Sequence, residues 1–419
     1  MSRRRTALLA CMLSALPVAA LGRGTAAVEA VGTISLQATF TSVSYGWTRV
    51  ERWNDSDPSW PAQQYVAGGR DDQTGQRATF FGSAEPAGSQ FLLYYAPHWS
   101  TGSKTVPVLL VMGANDNVDR EFADPNLNGA GTCGATSCPN TGLMQYLDGS
   151  GYRVFAVNFA NMQGDNLQQA QTISDALQVV RQRTGESKVD VVAWSKGAFP
   201  ARMYVSGVAP TWGRAYQGDV RKLVLLGGPN GGLDYVFGHG TAGDALIYPE
   251  CGGALNGPSP HYQYVCFGVW YSHPELSIDN AGGSDPYLGQ RQMLARWDGT
   301  YGVDQTQQDW YTTYYGGQGF VSTGNGIDSA ISHGSLVART RSAGVPSGVS
   351  SYLLCGGTAN MPGFVNENRG PSDGLVFLAS CDDTTGFGGP TSVTEVVGDN
   401  HLLLGWESAA VSQIRTWLG

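Results

Sequence analysis

Short runs of apolar residues, closed by glycine or proline, recur along most of this chain with stretches of helical periodicity between them. Such runs are apolar on both faces rather than alternating, which marks strands buried in a mostly parallel sheet that helices cover on both sides. Pro107–Met112 is the first and ends at Gly113; Tyr152–Phe159 is the second, followed by an amphipathic helix from about Asp165 to Arg183. Val189–Trp194 comes next and runs into a short helix through Met203 and Val205. Val220–Leu226 then ends in Gly227-Gly228-Pro229. Val349–Cys355 and Val393–Val397 complete the expected strands. Glu407–Leu418 closes the chain as a helix whose Ala410, Val411, Ile414, Trp417 and Leu418 share an apolar face. This alternation predicts an α/β domain with a doubly wound, mostly parallel sheet. Runs of β type at Ile34–Thr41 and Phe91–Tyr95 are expected to add antiparallel edge strands to the same sheet.

Between the strands near 226 and 349 the pattern loosens. Residues 228–345 are rich in glycine and aromatics, as in His261-Tyr262-Gln263-Tyr264-Val265-Cys266-Phe267, Trp270-Tyr271 and Trp310-Tyr311, and read as a cap or insertion. The expected organisation is therefore a leader over about 1–30 and one elaborated domain over 31–419 that carries this insertion.

Composition narrows the class. A hydrophobic fraction of 42% suffices for a real core, while only 14% charged residues and 58 glycines describe a polar, weakly charged surface like those of exported bacterial enzymes. A net charge of −9 and a pI near 5.1 repel phosphate backbones, so nucleic acid is excluded as a partner. Arg3, Arg4 and Arg5 followed by apolar Thr6–Leu21 read as an export signal, with cleavage between about Gly22 and Ala30. The paired arginines leave the export route open, a twin-arginine route included. Cys11 lies too early in the apolar region for a lipoprotein anchor, and no second apolar stretch is long enough to span a bilayer. Six cysteines remain after the signal, an even number in a chain bound for an oxidising compartment. Their grouping favours the local disulfides Cys133–Cys138, Cys251–Cys266 and Cys355–Cys381 over a zinc site.

The strongest chemical signal is Ala193-Trp194-Ser195-Lys196-Gly197, set where a buried strand turns into a helix. A nucleophile elbow holds its serine in a strained backbone conformation and needs small residues two before and two after it, so that strand and helix can approach. Ala193 and Gly197 meet that need. The turn exposes the Ser195 hydroxyl and aims the first helical amides at the same space, so the backbone N–H of Lys196 is a candidate oxyanion donor.

On these residues the chain resembles the α/β-hydrolases, and among them bacterial secreted lipases and extracellular polyester depolymerases, several of which also place Ala first in the motif. The resemblance runs from about Pro107 to the C-terminus and implies the chain order serine, acid, histidine. It places the base at His401, in Gly398-Asp399-Asn400-His401-Leu402-Leu403, after the last strand and before the last helix. His98, His239, His261, His273 and His333 lie elsewhere and read as structural or substrate-contacting. The acid is expected at Asp373 in Gly370-Pro371-Ser372-Asp373-Gly374-Leu375-Val376, since similar lipases carry an Asp-Gly-Leu-Val run here; Asp399, Asp382 and Asp234 are its rivals. A Cys355–Cys381 bridge would close the loop that bears Asp373 and limit its motion. The second oxyanion donor is expected after the Pro107–Met112 strand. Relatives often have His-Gly there; Met112 stands in the histidine place, and Ala114 and Asn115 are both candidates.

The resemblance implies an ester hydrolase that needs no cofactor and acts as a monomer on lipid, small ester or polyester substrates. An acyltransferase on the same triad and a non-catalytic binding module are the alternatives. Trp194, Trp270, Tyr271, Trp310 and Tyr311 are candidate substrate contacts, weighed against simple packing of the insertion. Asp116, Asn117, Asp119, Glu121 and Asp124 form an oxygen-rich cluster that reads as a solvated loop in preference to a calcium site, because no repeat of ligand spacing is present.

Overall fold

The computed structural model describes residues 30–31, 33–65, 72–114, 116–129, 132–235, 288–305, 311, 314–316, 326–363 and 366–419 of the chain. Ten strands among them form one sheet: β1 (Ala30–Val31), β2 (Ile34–Phe40), β3 (Arg49–Asp55), β4 (Gln90–Tyr95), β5 (Val108–Val111), β6 (Val154–Phe159), β7 (Val189–Trp194), β8 (Val220–Leu226), β9 (Ser350–Gly356) and β10 (Thr391–Val396). Their order is β1-β2-β3-β4-β6-β5-β7-β8-β9-β10. From β6 to β10 the neighbours run parallel. From β4 to β1 the sheet continues antiparallel, as expected for the N-terminal stretch. The expected strands fall within a residue or two of their observed ends.

The two-residue β1 was not expected, and the longer unexpected strand is β3. Its sequence, Arg-Val-Glu-Arg-Trp-Asn-Asp, is too charged to read as a strand, yet it pairs on both edges. Its Glu51 is wholly buried because Arg183 Nη2 at 2.8 Å and the indole of Trp53 at 2.9 Å satisfy the carboxylate. A charge can sit in a sheet once partners arrive from elsewhere in the chain.

The helices used below are α1 (Gly75–Phe81), α2 (Leu143–Asp148), α3 (Asn166–Thr184), α4 (Ala198–Val205), α5 (Leu288–Arg291), α6 (Gly326–Gly334), α7 (Val337–Ala343), α8 (Leu378–Cys381) and α9 (Ser408–Leu418). The chain leaves β5 through α2 to reach β6 on one side, then passes through α3 to β7 on the other. With right-handed crossovers, that reversal puts α2 on one face of the sheet and α3 and α4 on the opposite one. α3 packs on α4 and α2 on α9. The sheet is therefore doubly wound, with its switch point between β5 and the strands flanking it, where ligands of such sheets bind at the carboxyl ends. α3 starts at Asp165, whose side chain accepts from Leu167 N at 2.8 Å, and stops at Gly185 in a left-handed turn with φ 74°.

Of the insertion, residues 236–287 and several shorter stretches up to 325 lie outside the described residues. The calls on Trp270, Tyr271, Trp310, Cys251, Cys266, His239, His261 and His273 lie there too. Among the described residues no helix is long and apolar enough to cross a membrane.

Candidate active site

Ser195 follows the last residue of β7 and opens a 3₁₀ turn, Ser195–Gly197, that leads into α4. Its φ is +54°, a left-handed conformation that is costly for a residue with a side chain. Gly197 explains how the turn fits: a Cβ there would lie 2.1 Å from the carbonyl oxygen of Met112, so only glycine lets the helix approach the end of β5.

His401 reaches this turn from the loop after β10. Its Nε2 lies 2.8 Å from Ser195 Oγ, and its Nδ1 lies 2.7 Å from Asp373 Oδ2. The other Asp373 oxygen accepts from Leu375 N at 3.0 Å and Val376 N at 2.8 Å, which fixes the carboxylate. Asp373 holds the histidine a second time, its backbone carbonyl accepting from His401 N at 2.8 Å. Both side chains are buried. The structure thus brings together the three residues picked out for the triad.

The Asp373 loop is braced on each side. The Cys355–Cys381 bridge ties the end of β9 to the end of α8, with Asp373 between them. Ser372 Oγ donates to the Glu367 carbonyl and accepts from Gly374 N at 3.1 Å, while Glu367 N donates to the Gly374 carbonyl at 2.7 Å. None of the rival acids is the partner of His401 Nδ1. Asp234 accepts from Tyr314 at 2.8 Å and pairs with Arg369 at 2.5 Å, and burial lifts its carboxyl to about 6. Burial likewise raises Asp399 to about 6 and moves Asp382 upward. Of the other described histidines, His98 pairs with Asp148 at 2.8 Å and His333 lies 3.2 Å from Ser329 Oγ.

Gly227 is a site residue that sequence reading registers only as a strand end. Its φ is +54°, and a Cβ there would meet the His401 ring at 2.9 Å and Asp373 Oδ2 at 3.1 Å. Trp194, a candidate substrate contact, borders the cavity and is 1% exposed, and its indole donates to the His401 carbonyl at 3.2 Å, so it also holds the base loop. Tyr311 packs at a tilt of 48° against Tyr315 with ring centroids 4.5 Å apart and is not among the described residues that border the cavity.

A cavity of about 260 Å³ opens at Ser195 and His401. Pro229, Leu233, Met293, Leu375, Val376 and Leu402 supply an apolar wall, and the acidic stretch after β5 supplies a polar one. That stretch corrects the expectation of a solvated loop: Asp116, Asn117, Asp119 and Glu121 are all buried, Asp119 through Glu121 within a π-helical turn, Asp119–Ala123. Asp119 pairs with Arg77 at 3.2 Å, Asp116 pairs with Arg120, and Asp124 N donates to the Asp119 carbonyl. Partners within the protein replace water. Among the described residues no group of three or more His, Cys, Asp or Glu is arranged to hold a metal ion.

Of the oxyanion candidates, Lys196 has its amide in the first turn of the 3₁₀ segment, where helical geometry leaves N–H groups without internal acceptors. Ala114 borders the cavity, and Asn115 lies outside the described residues. The Lys196 side chain turns away into the protein and donates to the Gly164 carbonyl at 2.9 Å, Asn166 Oδ1 at 2.8 Å and Gln169 Oε1. Burial pulls this ammonium down to about 7.

A doubly wound sheet with a strained serine at a strand-to-helix turn, backed by histidine and aspartate in that spatial order, is the α/β-hydrolase fold. Residues 106–257 match the family described as lipase (class 2). Solved structures it is similar to include a mature lipase from Bacillus licheniformis (13% identity, 72% of this chain and 86% of that one, TM-score 0.37). A thermostable carboxyl esterase from Bacillus coagulans (11%, 78% and 93%, 0.39) and a carboxylesterase from Bacillus subtilis (12%, 78% and 86%, 0.34) are others. No curated protein matches the chain in sequence.

Proposed function

We propose that the chain is a secreted carboxylic ester hydrolase, a lipase or esterase, working through an acyl-enzyme on Ser195. The observation that carries this reading is the continuous hydrogen-bond chain from Ser195 Oγ through His401 to Asp373, with the serine in a left-handed conformation. Asp373 accepts at Nδ1, which assigns the proton of the neutral imidazole to that nitrogen and leaves Nε2 to take the serine proton.

As Ser195 Oγ attacks the ester carbonyl, its proton passes to His401 Nε2, and Asp373 stabilises the imidazolium. The carbonyl oxygen becomes an oxyanion held by the Lys196 amide and an amide of the loop after β5, Ala114 or Asn115. Collapse breaks the bond to the alcohol oxygen, which leaves with the proton from His401. Water, deprotonated by the same nitrogen, then releases the acid from Ser195. No cofactor enters any step. The export signal read in residues 1–30 and the two bridges support secretion, and the apolar wall supports binding of an acyl chain.

The test is acid release from a short-chain ester, a long-chain triglyceride and a polyester film, measured side by side for the wild type and Ser195→Ala. Hydrolysis of either of the first two that falls to background in the variant supports the reading. Activity retained by Ser195→Ala overturns the nucleophile, and activity on the film alone overturns lipase or esterase in favour of a depolymerase.

A further inference from the structure

Glu121 lies in the wall of the cavity that holds Ser195, on the π-helical turn after β5, and is 3% exposed. Local departures to i→i+5 geometry of this kind often mark functional sites. A carboxyl group buried this far is costly unless it is satisfied. The neighbouring cation, Arg120, is committed to Asp116 and to the Thr132 carbonyl at 3.1 Å. Beside the charge of Arg120, Glu121 has a backbone amide: both carboxyl oxygens lie 2.9 Å from Gly113 N.

Gly113 is the first residue of the loop from which the second oxyanion donor is drawn, and it separates Glu121 from the nucleophile. A Cβ on Gly113 would lie 2.9 Å from Ser195 Cβ and 3.0 Å from Glu121 Oε1. An amide spent on Glu121 cannot also face a substrate carbonyl, so the Gly113 N–H anchors the loop and does not serve as a donor. With that N–H anchored, the Met112–Gly113 peptide is held, and only the φ and ψ of Gly113 lie between it and the Ala114 amide.

We propose that Glu121 is a positioning residue of the oxyanion hole: by accepting the Gly113 amide it holds the start of the loop, one residue before Ala114, in the place from which the Ala114 N–H faces the carbonyl oxygen of an ester bound at Ser195. This rests on the hydrolase reading above. Burial lifts the Glu121 carboxyl against the opposing pull of Arg120 and of the Gly113 amide, and either protonation state keeps an oxygen to accept that amide.

The experiment compares Glu121→Ala, Glu121→Gln and Glu121→Asp with the wild type on a short-chain ester. It reads kcat, KM, the rate of inactivation by a serine-directed phosphonate, and the melting temperature. Loss of an oxyanion donor costs about 100-fold or more in kcat, and a misplaced one should cost about 10–100-fold. Glu121→Ala is expected to lose that much in kcat and in phosphonylation rate, with KM changed less than about threefold. Glu121→Gln, which keeps an acceptor at the same reach, should recover most of the loss. Glu121→Asp, one methylene shorter, should not. A melting temperature that falls while kcat below it stays within about twofold would overturn the proposal, and so would a Gln variant as impaired as the Ala variant. Should the Ala variant not fold, the contrast between Gln and Asp decides. Failure of the nucleophile assignment is separable, since it shows in Ser195→Ala and not in this series.

Discussion

Trp194 and His401 are joined across the site: the indole N–H of the residue just before the nucleophile donates to the backbone carbonyl of the base at 3.2 Å. Gly405, four residues after the base, packs so closely on the same ring that a Cβ there would lie 2.3 Å from it. The strand that aims Ser195 therefore also sets the height of the loop that carries His401. Trp194→Phe keeps most of the ring and removes the donor, a loss of about 1 kcal/mol if it were only a hydrogen bond. Because it also releases the base, kcat is expected to fall about 3–10-fold with KM nearly unchanged, as steady-state kinetics on a soluble ester would show.

Asp373 grips His401 through its side chain and its backbone carbonyl, and only the first grip is lost in Asp373→Asn. The loop should stay in place while the amide fails to hold the required tautomer. A fall in kcat of about 10³–10⁴-fold with a melting temperature close to wild type is expected. Replacing Asp234 or Asp399 by Asn should leave kcat within about tenfold, and a larger loss in either would move the acid away from Asp373.

Gly227 leaves no room for a side chain beside the His401 ring and sits at a φ that other residues adopt at a cost. Gly227→Ala is expected to destabilise by about 1–3 kcal/mol and to lower kcat by more than tenfold, because the clash falls on the base. Thermal melts and kinetics on the same preparation separate the two effects.

The short Cys133–Cys138 loop braces the other side of the base. Asn400 Nδ2 donates to the Gly134 carbonyl at 2.8 Å and the Trp406 indole to the Cys133 carbonyl at 2.9 Å, so residues on both sides of His401 rest on it. The double variant Cys133→Ser and Cys138→Ser should lose about 2–3 kcal/mol of stability and several-fold in kcat. The lost activity should be insensitive to reducing agent.

The Lys196 ammonium gives a pH dependence with a definite sign. Its folded pKa, about 7, lies below the ordinary 10.5, so between those values the folded protein binds fewer protons than the unfolded chain, and this group makes stability rise with pH. Below about 7 both states are protonated and the burial penalty is constant. The difference in melting temperature between wild type and Lys196→Met should therefore move in favour of the wild type from pH 7 to 10. A difference flat across that range would show an ammonium held charged by Gly164, Asn166 and Gln169.

Much of this was legible in the chain. Val189–Trp194 reads as a buried strand because every residue in it is apolar save Asp190, and the small residues around Ser195 are demanded by the local turn. Such signals depend on neighbours in sequence and survive without coordinates. β3 did not read as a strand, since Glu51 becomes tolerable only when Arg183 arrives from α3. The acids after β5 looked solvated for the same reason: Arg77 of α1, which buries Asp119, is distant in the chain.

By itself, the sequence determined the alternation of strands and helices and the elbow at Ser195, because backbone propensity and hydrophobic period are local properties; the segments that carry Asp373 and His401 followed from the resemblance to the α/β-hydrolases. Tertiary structure alone decided which acid faces the histidine, that Trp194 serves the base loop, that Gly227 must lack a side chain and that Glu121 takes the Gly113 amide. Those are distances between residues far apart in the chain, and a hydrogen bond depends on separation in space, which no pattern along one strand encodes.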